Sequence, residues 1–197
     1  VTGVQTCALP ISFGIDHLSA YALIVEDGTK LSAKIKRGEI ARPDDDLMAQ
    51  MYLAVDSKAT SNNLNWYELS NWGRPAKHNL VYWHNQNWWG LGPGAHSHVD
   101  GVRWWNLKHP SKYQEQLAKF ESPMHERERL TAEQQKDEAI MLQIRLREGL
   151  ALADLNPKQI ESLQNFQDQV EFTESHAILT PSGRLIADRI VRTLVMA

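Results

Sequence analysis

The stretch WYELSNWGRPAKHNLVYWHNQNWWGLGPGAHS, residues 66–97, decides how the chain is read. Asn65–Asn71 alternates as a strand does, and Trp88–Leu91 reads as another. The run Gly90-x-Gly92-x-Gly94 implies a backbone that bends sharply or is closely approached by a strand or a ligand. Just beyond it, Val102–Asn106 reads as a further strand and Pro110–Phe120 as a short helix. All seven tryptophans, Trp66, Trp72, Trp83, Trp88, Trp89, Trp104 and Trp105, fall within forty consecutive residues. So many large flat side chains build either a core or the wall of a pocket for a planar ligand, and composition alone favours the core.

Two clusters in this region could carry chemistry. In His78-Asn79-x-x-Tyr82-Trp83, an imidazole can bond iron through a neutral ring nitrogen, Asn79 can orient the turn, and Tyr82 and Trp83 can flank a flat ligand. Taken alone, a histidine beside an asparagine is more commonly a turn residue. The second cluster is His78, His84, His96 and His98, because His-x-His on a strand points both rings to one side. Its only plausible carboxylate partners are Glu68 and Asp100, and no ligand spacing supports a hydrolytic zinc centre. The glycine run leads into the turn-like Val99-Asp100-Gly101 rather than a helix, so a dinucleotide fingerprint fails. No serine or cysteine nucleophile motif is present.

Around this region the composition is that of a globular protein: 197 residues, 42% hydrophobic, 23% charged, formal charge −3. The longest wholly apolar run, Ala20–Val25, is six residues, where a membrane-spanning helix needs about twenty. A single cysteine, Cys7, excludes a disulfide framework and makes a reducing compartment the expectation. Residues 13–120 carry 12 basic and 11 acidic side chains, residues 121–197 carry 9 and 13. Neither half has the cationic surplus that phosphate contacts demand, which argues against nucleic acid as a partner.

Val1–Ser12 has no period and no cap; it reads as a non-native leader resembling sequencing-adapter read-through, set apart from the fold. Asp16–Val25 then reads as a buried strand closed by the turn Glu26–Thr29. Leu31 and Ile35 mark a short helix stopped by Gly38, and Asp44-Asp45-Asp46 cap a longer one striped by Met48, Met51, Tyr52 and Val55. Ser122–Arg129 is polar and holds Pro123, so it is taken as a linker between a first region, 13–120, and a second, 121–197. Thr131-x-x-Gln134 is a capping box that opens a helix running toward Gly149. A helix at Pro157–Phe166, a hairpin of Gln169–Phe172 with Ala177–Thr180, and a helix over Pro181–Val195 complete a winged-helix-like module. Its acidic balance suits packing against protein better than DNA.

Three strings, Trp66–Pro75, Lys77–Trp83 and Trp89–Ser97, resemble the HemN/HemW family of radical-SAM proteins in that order. Asp16–Thr29 and the terminal Leu179-Thr180-Pro181-x-Gly183-Arg184-Leu185 extend the likeness over nearly all of the chain after the leader. The resemblance implies an α/β (α+β) fold: the closing part of a partial radical-SAM (β/α) barrel, then the family's small carboxy-terminal domain. It implies a carboxy-terminal piece of about half a protein. The CxxxCxxC loop that holds a [4Fe-4S] cluster and S-adenosylmethionine in the parent would lie upstream, and this piece alone would be inactive.

His78-Asn79-x-x-Tyr82-Trp83 matches the string the family associates with haem, making His78 the iron ligand with Asn79, Tyr82 and Trp83 around it. Arg74, Lys77 and Arg103 are candidate partners of the haem propionates, by charge and position. Relatives usually carry several more residues between the Arg-Pro and the His-Asn, where only Ala76 and Lys77 stand here. The Gly92-Pro93-Gly94-Ala95-His96-Ser97 string favours the haem-chaperone branch, which hands haem to haem-dependent proteins, membrane-associated respiratory ones among them. The alternative is an oxygen-independent coproporphyrinogen III oxidase, a decarboxylase of porphyrin biosynthesis. Either reading implies a cytoplasmic protein, with peripheral membrane association as a variant of the first.

Overall fold

Asp44 ends an extended segment and accepts a hydrogen bond from the Leu47 amide at 2.7 Å, so the acidic run does start a helix. The computed structural model describes residues 10–197. Residues 1–9 of the leader stretch, Cys7 included, lie outside the described residues, while Ile11 is buried in the first of two cores.

In chain order the first region holds β1 (His17–Ser19), α1 (Lys30–Lys36), α2 (Asp45–Thr60), β2 (Trp66–Glu68), β3 (Asn71–Gly73), α3 (Lys77–Trp83), β4 (His96–Val99), β5 (Val102–Asn106) and α4 (Pro110–Ala118). Then follow β6 (Met124–Arg129), α5 (Ala132–Gln143), β7 (Leu150–Ala151), α6 (Pro157–Gln164), β8 (Val170–Phe172), β9 (His176–Leu179), α7 (Pro181–Leu185) and α8 (Ala187–Val195). They form three antiparallel three-stranded sheets with orders β1-β3-β2, β4-β5-β6 and β7-β9-β8. This is the α+β side of the expected class.

Several elements differ from the sequence reading. Asp16–Val25 narrows to the three residues of β1, and beyond it Tyr21, Leu23 and Ile24 are exposed by 74%, 57% and 74%, so the apolar run is not a buried strand here. Asn65–Asn71 is not one strand but most of the β2–β3 hairpin, folded back after Glu68. Trp88–Leu91 contributes a single bridge, Trp88 with His98. Ser122–Arg129, taken as a linker, contains β6, which pairs with β5 along its whole length and carries the second sheet past residue 121. Its six side chains are all exposed, so it offers no buried alternation for a sequence reading to find.

The capping box at Thr131 and Gln134 forms as expected, and a second one, Asn156 with Gln159, opens α6. The helix expected over Pro181–Val195 breaks at Ile186 into α7 and α8. Within α7, Gly183 lies so close to the chain before β8 that a Cβ would sit 1.9 Å from the Gln169 carbonyl oxygen. In α8, Ala187, Ile190, Val191 and Leu194 recur at helical spacing and are buried with Leu163 and Ile140 in the second core.

The first core gathers Leu18, Val55, Ala59, Leu64, Trp66 and Trp72. The two cores interlock. Leu69, between β2 and β3, packs on the second core, and Ile178 of β9 packs on the first. Arg184 of α7 reaches α2 and meets Asp56 through two hydrogen bonds of 2.8 Å, its side chain 3% exposed. Trp72 Nε1 donates to the same carboxylate at 2.7 Å, and the guanidinium lies 4.4 Å from the Trp66 ring centroid. Among the described residues no helix is long and apolar enough to cross a membrane.

Candidate functional site

His78 lies in the first turn of α3, whose start is held from outside the helix. Gly73, with φ +93°, passes so close to β1 that a Cβ would meet the Asp16 carbonyl oxygen at 2.3 Å. The Arg74 amide donates to that same oxygen at 2.7 Å, and the Arg74 guanidinium pairs with the Asp16 carboxylate at 2.8 Å. The Tyr67 hydroxyl accepts from the Ala76 amide at 3.3 Å and lies 2.9 Å from His17 Nε2. These contacts close the short Ala76-Lys77 connection without a side-chain cap on Ala76.

On α3 the four-residue spacing puts His78 and Tyr82 on one face, with Tyr82 Oη 2.9 Å from His78 Nε2 and the rings edge to face at 5.1 Å. Tyr82 continues onto Trp88 at 5.0 Å, and Trp88 onto His98 at 4.9 Å. An aromatic row thus runs from the exposed His78 to the buried His98, which was missed as part of this set. Trp88 and His98 are bridged across the sheet, and bridged residues share a face, a pairing that no local spacing announces. His98 Nδ1 lies 3.3 Å from the Gln86 carbonyl oxygen, while its buried Nε2 has no partner among the described residues.

Asn79 turns the other way, toward the buried carboxyl of Glu68, which its amide reaches at 3.5 Å. Asn71 donates to the same Glu68 oxygen and accepts from Ser19. Burial pushes the Glu68 carboxyl up from its ordinary range, against the pull of hydrogen bonds from the Ser70 backbone and Asn79. A carboxyl raised in the folded state holds its proton more tightly there than in the unfolded chain. Stability therefore declines as pH rises from the ordinary glutamate value through the raised one. Glu68→Gln keeps an acceptor for both amides and removes the titration. Its melting temperature between pH 4 and 8 is expected to fall less with pH than that of the parent; a steeper fall overturns this role.

The remaining candidates are dispersed. Arg103 lies opposite His98 in the β4–β5 register, on the same face, but its guanidinium is taken by Glu128 at 2.8 Å and by Glu138. Lys77 is exposed and joins no ion pair among the described residues, and Trp83 is half-buried. His84 pairs with Glu148 at 3.0 Å. His78, His84, His96 and His98 do not converge: among the described residues no three metal-ligating side chains gather in a cation site. The glycine run serves the fold, since a Cβ on Gly90 would lie 2.0 Å from the His96 carbonyl oxygen, and Asn106 donates to the Gly90 and Gly92 carbonyls.

Sheets, helices and terminal module together match the carboxy-terminal half of a HemN-type radical-SAM fold. The chain superposes on the solved coproporphyrinogen III oxidase HemN of Escherichia coli with a TM-score of 0.71 at 16% identity, covering 98% of this chain and 50% of that one. Among curated proteins it is 43% identical to the heme chaperone HemW of Mycobacterium tuberculosis, over 98% of this chain and 50% of the relative. It is 29% identical to the protein of that name from Bacillus subtilis, over 91% and 51%. A mitochondrial radical S-adenosyl methionine domain-containing protein 1 from mouse is 40% identical over 41% of this chain and 19% of its own. No protein-family model matches the chain. The chain belongs to the HemN/HemW family, on its HemW side, and spans about half the length of the curated relatives it matches.

Proposed function

We propose that the whole protein is a haem chaperone, which binds haem on α3 and delivers it to haem-dependent proteins, membrane-associated respiratory ones among them. The observation that carries this reading is the exposed His78, its ring set by Tyr82 and backed by Trp88. In the tautomer whose Nε2–H donates to the Tyr82 hydroxyl, the Nδ1 lone pair is kept for iron, and Nδ1 of His78 has no partner among the described residues. Lys77, one residue away and unpaired, can meet a propionate; Arg74 can do so on leaving Asp16; Arg103 is held by two carboxylates. The alternative, porphyrinogen decarboxylation, draws on the HemN likeness, which at 16% identity concerns the fold.

The residues of this chain do not fit an iron–sulfur cluster, since three thiolates are needed and Cys7 is the single cysteine. The cluster and S-adenosylmethionine belong to the parent protein in this reading. Titration with ferric haem tests the site. His78→Ala is expected to lower the haem bound per chain by one equivalent and to remove the imidazole's contribution to the visible spectrum. His176→Ala, at the start of β9 opposite Ala151, is expected to change neither. Unchanged stoichiometry and spectrum in His78→Ala overturn the reading.

A further inference from the structure

On the face of the second sheet where His98 lies, the next row is His96, Trp105 and Glu126, set opposite one another across β4, β5 and β6. The His96 and Trp105 rings stack at 5.6 Å with an interplanar angle of 28°. After β5 the chain crosses in front of this row at Lys108 and His109 and enters α4, which presents Lys112. These side chains, with His125 from β6, line an open groove of about 560 Å³. That is the volume of a pocket for a small organic ligand.

The groove offers two ammonium groups, three imidazoles and one carboxylate. Lys108 and Lys112 join no ion pair among the described residues. In the tautomer whose Nδ1–H donates to the Ser111 hydroxyl at 3.2 Å, His109 keeps the Nε2 lone pair for a ligand. A bare metal ion would need three or four donors at bonding distance, and the three imidazoles form no such group. A metal already held in a macrocycle needs one axial nitrogen only. The ligand that matches all three parts is planar, to lie on Trp105, bears carboxylates, to meet the lysines, and holds an iron open to one imidazole.

We propose that this groove is a second haem site, distinct from His78, with Trp105 as platform, Lys108 and Lys112 on the propionates, and His109 as axial ligand. The inference rests on the reading of the protein as a haem carrier and deepens it. The row Trp88–His98 lies between the two sites, so haem on α3 and haem in the groove would occupy neighbouring stations of one aromatic sheet face.

The test is a ferric haem titration of the chain, followed by Soret absorbance and tryptophan quenching. Wild type is expected to bind two equivalents and His78→Ala one. In the His78→Ala background, Lys108→Glu with Lys112→Glu is expected to weaken the remaining equivalent about tenfold or more, the loss of two charge-assisted contacts. His109→Ala in that background should keep metal-free protoporphyrin binding while losing the imidazole signature of bound haem. These substitutions are at exposed positions, and far-ultraviolet circular dichroism checks that the fold persists. No haem bound to His78→Ala overturns the groove, as does equal affinity with and without the two lysines. If His78→Ala still binds two equivalents and the lysine pair removes one, the α3 reading fails and the groove stands.

Discussion

Asp56→Ala is expected to cost about 3–5 kcal/mol of stability, the range for breaking a buried, hydrogen-bonded ion pair by removing one partner. The Arg184 guanidinium would stay buried against Trp66 and Tyr52 without its carboxylate, and Trp72 Nε1 would lose its acceptor. The pair joins α2 of the first core to α7 beside the second, so its loss should also split one unfolding transition into two. Urea unfolding read by tryptophan fluorescence and by circular dichroism checks both points; coincident curves with a loss below about 1 kcal/mol would sink the idea. The effect carries a pH signature. Burial alone would raise the Asp56 carboxyl, but hydrogen bonds from Arg184 and Trp72, together with the Arg184 charge, hold it below its ordinary value. Its contribution is therefore complete above the ordinary aspartate range and fades as pH drops through the lowered value.

Ile190→Ala is expected to cost about 2–5 kcal/mol, because the side chain is fully buried among α5, α6 and α8 and its removal leaves a cavity that close-packed neighbours fill only in part. Ile190→Val should cost about 0.5–1.5 kcal/mol. Here both cores are expected to weaken together, since Leu69 and Ile178 still cross between them and the Arg184–Asp56 pair is intact. A shift in urea midpoint at constant slope would show this, and a midpoint unchanged from the parent would falsify it.

What the sequence disclosed is local chemistry. Asp44, Thr131 and the stripe of α8 announce themselves through caps and spacing, and each is found in place. Non-local pairing left no such mark. Met124-His125-Glu126-Arg127-Glu128-Arg129 is a strand only because β5 lies beside it, and its polar alternation has no buried side to reveal. Tyr21–Ile24 misled in the opposite way, apolar yet without cover among the described residues. At the site, the histidine string pointed to α3, but not to the row through Trp88 and His98, which depends on a bridge across the sheet. The burial of Glu68 and Arg184 left no mark in the string, because a charged residue gives no hint of burial until its partners are in place.

The edge strand β6 sorts its charges by sign. Glu126 and Glu128 point to one side of the sheet and Arg127 and Arg129 to the other, as the two-residue period requires. Two copies of the chain joined antiparallel along this edge would be related by a two-fold axis through the sheet, which keeps each side with its own kind. Glutamates would then confront glutamates on one surface and arginines confront arginines on the other, an arrangement that disfavours pairing. A bare strand edge invites endless growth of sheet upon sheet. Here the charge order lets β6 stand open to water while refusing its own twin.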